Sequence, residues 1–90
     1  MELLKSLEEK VEKELKKWSD VGVFCEIKSK IDSLPPDKKE KALSHFLSLL
    51  KSLELYQVEA LGHIVAIAEI LESCGMNGDP LKKIAKALFA

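Results

Sequence analysis

Ninety residues with a formal net charge of −1 and a pI near 6.1 fit a single domain. A chain this short buries only about 60–65% of its unfolded surface, so any addition to the core, association included, matters to it. The apolar share of 47% beside 32% charged residues excludes a disordered chain. All fourteen basic residues are lysine, and neither clustered positive charge nor guanidinium forks are available to grip a polyanion, so nucleic acid is not an expected partner.

The first predicted helix covers residues 2–18. Leu3, Leu4, Leu7, Val11, Leu15 and Trp18 recur at spacings of three and four and make one apolar stripe. Glu9 with Lys13 and Glu12 with Lys16 are i,i+4 pairs in the favourable order on the solvated side. Met1 is followed by Glu2 and a charged helix rather than by a basic and then an apolar region, and the longest apolar run, Ile64 to Ala68, is too short to cross a bilayer. The expectation is a soluble, cytoplasmic protein.

Ser19, Asp20 and Gly22 stop that helix and allow a second over 20–33, with a stripe of Val23 or Phe24, Ile27, Ile31 and Leu34. Pro35 and Pro36 end it, because the residue before a proline avoids helical geometry. Pro36 then opens the next helix at its first position, with Asp37 suited to the positive end of the dipole.

From there to Cys74 the chain contains no proline and a single interior glycine, Gly62, and one long helix over 36–74 is predicted. At 100° per residue, Ala42, Phe46, Leu49, Leu53, Ala60, Ile64, Ile67, Leu71 and Cys74 share one band. Leu43, Leu47, Leu50, Leu61, Val65 and Ala68 make a second seam beside it. Both seams keep phase across Glu54 and Gln57, and no Gly, Pro, Asn or Asp marks a turn there, so a break or kink at 54–57 is the alternative. The opposite face is polar through Lys38, Lys41, Ser44, His45, Ser48, Lys51 and Ser52. It becomes much less polar in the second half, where Leu55, Gly62, Ala66 and Ile70 stand among Glu59, His63, Glu69 and Ser73, which predicts deeper burial of the C-terminal half.

Gly75 closes this helix, and Asp79 with Pro80 starts a last one over 80–89. Leu81, Ile84, Ala85 and Leu88 line one side of it and Lys82, Lys83 and Lys86 the other. That pattern is a weak form of a membrane-surface helix, but about eleven residues are expected to dock on the end of the bundle instead.

A continuous helix over 37–74 would be about 57 Å long, against the roughly 30 Å span of a compact chain of this size. The two N-terminal helices would fold back across the proline corner as a broken antiparallel partner and cover one seam. The second seam, Leu43, Leu47, Leu50, Leu61, Val65 and Ala68, would then be an interface. The fold class expected is therefore an all-α helical hairpin or bundle on one long helix, completed as a four-helix-type bundle by a homodimer.

Candidate chemistry is sparse. His45 and His63, 18 positions apart, would lie about 27 Å from each other along one helix and could not share an ion. Glu59 stands one turn before His63 and could tune its imidazole, which makes that pair the only candidate polar site. Cys25 and Cys74 form no CxxC pair and read as buried free thiols. Trp18, Phe24, Phe46, Tyr56 and Phe89 are too scattered for base stacking. No catalytic residue, cofactor or metal is assigned. The expected function is a non-catalytic protein–protein interaction module acting as a homodimer and serving a further protein partner. The alternatives are a nucleic-acid-associated regulatory module and a helical metal-binding or enzyme subunit using His63, Glu59 and the cysteines.

Overall fold

The computed structural model describes residues 2–18, 20, 22–55 and 58–89. Ser19, Tyr56 and Gln57, and the side chains of Leu3, Leu88 and Phe89, to which the sequence assigns cap, turn and packing roles, lie outside the described residues. The described chain is all-α: α1 (Glu2–Leu15), a 3-10 turn (Lys16–Trp18), α2 (Gly22–Asp32), α3 (Pro36–Glu54), α4 (Glu59–Ser73) and α5 (Asp79–Phe89).

The largest departure from expectation is at Glu54. The long helix is two helices, and α4 turns back to pack along α3 in the most extensive contact of the fold. The molecule measures 37 × 28 × 22 Å, too short for a helix of about 57 Å. Helix α3 ends with the Leu55 amide donating to the Lys51 carbonyl at 3.2 Å. Leu55 itself sits at φ −98°, ψ 6°, the bridge region between helix and strand that turn residues adopt. No glycine is needed for that geometry, so α3 can end there without one.

Energy favours the break. Phe46, Leu49, Leu50, Ala60, Ile64 and Ile67 are buried in one core, and each of the large ones gains about 1.5–3 kcal/mol from leaving water. Interrupting a helix costs a few hydrogen bonds, each worth about 0.5–1.5 kcal/mol net and recoverable from water. Seam phase does not discriminate between the two arrangements. Four linking residues are close to a full turn, and a hairpin needs apolar stripes on both arms as much as a straight rod does.

Helix α1 packs against the other flank of α3. Its direction is fixed by two ion pairs, Glu8 with Lys39 at 2.7 Å and Lys17 with Glu54 at 3.5 Å. Both helices ascend together between these contacts, so α1 runs parallel to α3 and the expected antiparallel flank is corrected. The physical reason is that α2 intervenes between them as the return arm. Trp18 meets Phe24 edge-on with centroids 5.6 Å apart, and Phe24 meets Phe46 of α3 at 6.4 Å. The proline corner makes the reversal into α3. Lys39 also lies 3.6 Å from Asp32 of α2, and the hydrogen bond its ammonium donates to Glu8 is the main cause that raises it above its ordinary range.

The end of α4 follows the sequence reading closely. Gly75 has φ +77°, the Met76 amide donates to the Leu71 carbonyl at 2.9 Å, and the Gly75 amide donates to the Glu72 carbonyl at 3.0 Å. These are the two bonds of a Schellman motif. Helix α5 then crosses to α4 and α2 and buries Leu81 and Ile84 in the common core. Leu81 and Ile84 of its apolar side are thereby covered, and among the described residues no helix is long and apolar enough to cross a membrane.

The two glycines of α4 and its cap should respond oppositely to alanine. Gly75→Ala forces a left-handed residue and should lower the unfolding free energy by about 1–2 kcal/mol. Gly62 has open space where a Cβ would stand, and Gly62→Ala should raise stability by about 0.5–1 kcal/mol through helix propensity. Urea denaturation of the two variants checks both signs.

Candidate functional site

The fold-back brings together two side chains that a straight helix would hold far apart. His45 lies on the flank of α3, three residues after buried Ala42 and four before buried Leu49, and His63 precedes buried Ile64 in α4. Each ring is half-buried at the edge of the α3–α4 seam. Their Nδ1 atoms face each other at 3.3 Å, with ring centroids 5.5 Å apart and planes tilted by 44°. The expectation that the two histidines could not meet rested on a continuous helix and falls with it.

In the neutral pair one ring supplies an Nδ1–H and the other a bare nitrogen. Protonating both would set two N–H groups and two positive charges against each other. Burial first, and the charge of His63 second, hold the His45 imidazole below its ordinary value of 6.5. Among the described residues no group of three or more His, Cys, Asp or Glu side chains is placed to hold a metal. Glu59, the expected companion of His63, is exposed. Cys25 is exposed rather than buried and Cys74 is half-buried, so the reading of two buried thiols is corrected; Cys25 lines an open hollow with Glu12, Leu15 and Lys16.

The second feature is apolar. Leu55, Val58, Leu61 and Val65 are 63%, 75%, 37% and 47% exposed, and Val58, Leu61 and Val65 recur at helical spacing around exposed Gly62. Val58, Leu61 and Val65 form one stripe along the outward side of α4, and Leu55 is exposed at the end of α3. The predicted interface divides accordingly. Leu43, Leu50 and Ala68 are in the chain's own core, Leu47 is half-buried against it, and only Leu61 and Val65 present substantial surface. A side chain already covered within its own chain has nothing left for a second copy, which moves any contact from the whole second seam to the α4 stripe.

Burial is also redistributed along the sequence. Ser52 is buried, and His45 and Ser48 are half-buried, because the return of α4 covers the face of α3 expected to be wet. The first two turns of α4, expected to be the better covered, carry the exposed stripe. Charge alternation alone could not signal this, since His45, Ser48 and Ser52 are short polar residues that either environment accepts. Comparison with family models, curated proteins and solved structures gave no match.

The histidine pair carries a pH dependence whose sign follows from linkage. The unfolded chain takes up a proton on His45 more readily than the folded chain, so stability is full above pH 6.5 and falls as pH drops below that value. Urea midpoints measured in chelator-containing buffer should therefore decline from neutral to mildly acidic pH. His45→Gln should flatten that part of the profile.

Proposed function

We propose that this chain is a small non-catalytic assembly module that pairs with a second copy of itself through the outward side of α4. The observation that carries this reading is the exposed apolar stripe of Val58, Leu61 and Val65 on α4, with exposed Leu55 at the end of α3. Isolated exposed apolar residues are ordinary, but a contiguous row on one helix is the pattern of a helix–helix contact. Gly62 supports it. A glycine in the interior of a helix costs about 0.5–1 kcal/mol relative to alanine, and nothing within 4 Å of its missing Cβ accounts for it within the chain. A close approach by another helix would.

A two-fold axis near Gly62 matches the stripe to itself, the self-complementarity an isologous dimer requires. In the antiparallel α4–α4 pair so formed, Val65 of one copy lies opposite the 58–59 turn that opens α4 of the other. Two α3–α4 hairpins joined in this way make a four-helix-type arrangement with both α4 helices inside. The length of the helix no longer contributes to the case for association; exposed area does. Four side chains cover less than the roughly 800 Å² per partner of a standard interface, so the dimer should be weak and reversible.

Sedimentation velocity from low micromolar to millimolar protein should show a concentration-dependent shift from monomer to dimer. Val65→Glu and Gly62→Leu each fill or charge the stripe without entering the core, and both should remain monomeric with unchanged helicity. A wild-type chain that stays monomeric over the whole range, or variants that dimerise as well as it does, would remove this reading.

A further inference from the structure

We propose that His45 and His63 form a two-histidine site for a divalent first-row transition ion, with both Nδ1 atoms coordinating and water completing the shell. The spacing is the first ground. Nitrogens held at about 2.0–2.1 Å from one tetrahedral ion stand about 3.3–3.4 Å apart, and the two Nδ1 atoms are 3.3 Å apart. Protein hydrogen bonds with an N–H donor centre nearer 2.9–3.0 Å, so the observed separation is long for a direct bond and matches the bite of an ion between the rings.

Preorganisation is the second ground. Each histidine sits beside fully buried neighbours, Ala42 and Leu49 on α3 and Ile67 on α4, in the most extensive helix–helix contact of the fold. The relative position of the two rings is therefore set by the core and not by the ion. Their half-buried state leaves one side open to solvent, through which an ion can enter and keep its waters. Imidazole is a ligand suited to zinc, copper and nickel, and the neutral form that binds them dominates above the ordinary histidine pKa. With no third His, Cys, Asp or Glu in reach among the described residues, the site is open rather than closed, and affinity should be moderate.

Titration of the full chain with zinc chloride, followed by calorimetry, should give one ion per chain. His45→Gln and His63→Gln should each weaken binding by at least about tenfold, while the double variant Cys25→Ser, Cys74→Ser should bind as the wild type does. Circular dichroism checks that each variant keeps its helices. Long-range nitrogen–proton NMR of the wild-type imidazoles provides a readout that needs no variant, and zinc should shift Nδ1 of both rings. The proposal is overturned if zinc is not taken up, if uptake survives either glutamine substitution, if it depends on the thiols, if Nε2 shifts in place of Nδ1, or if two chains share one ion.

Discussion

Closure of α4 onto α3 is the contact on which every other feature of this molecule depends. It gathers Phe46, Leu49 and Leu50 from one arm and Ala60, Ile64 and Ile67 from the other into a shared core. Burial of side chains of that size outweighs the few backbone hydrogen bonds given up at the tip, and the helix breaks where Glu54 interrupts the apolar seam. The remaining elements attach to this hairpin. Helix α1 lies along the free flank of α3, and α5 is brought back over α4 by the Schellman turn at Gly75.

The same closure creates both candidate sites. On one flank it presses two imidazoles against each other at the edge of the core, where burial disfavours the charged form of His45. On the outward side of α4 it leaves Val58, Leu61 and Val65 without cover, since α1, α2 and α5 all reach other surfaces. One feature concerns a small ligand and the other a macromolecular one, and they occupy different sides of the same helix. Residue 63 lies about 140° around α4 from residue 58, whereas 61 and 65 lie close beside 58 in projection. An ion between the histidines and a helix on the stripe would therefore not compete for space.

Ion pairs orient the molecule more than they stabilise it. Glu8 with Lys39 and Lys17 with Glu54 sit at the surface, where such pairs contribute little. What they fix is direction: the reversed arrangement of α1 would set these partners at opposite ends of α3. The aromatic contacts from Trp18 through Phe24 to Phe46 have a comparable role at the α1–α2 corner. They tie the return arm to the central helix by burial that also excludes water.

Much of the local structure was legible in the residues themselves. The 3.6-residue stripes, Pro36 at a first helical position, the proline corner and the left-handed Gly75 are each decided by neighbours a few residues away, and the structure has them where the pattern places them. Only the tertiary structure decided whether residues 36–74 run on or fold back, whether α1 points with α3 or against it, and whether His45 meets His63. Periodicity is the same for a rod and a hairpin, and an apolar stripe records that it will be covered without recording by what. The choice between coverings is made by total burial over the whole chain, a quantity that no stretch of sequence contains on its own.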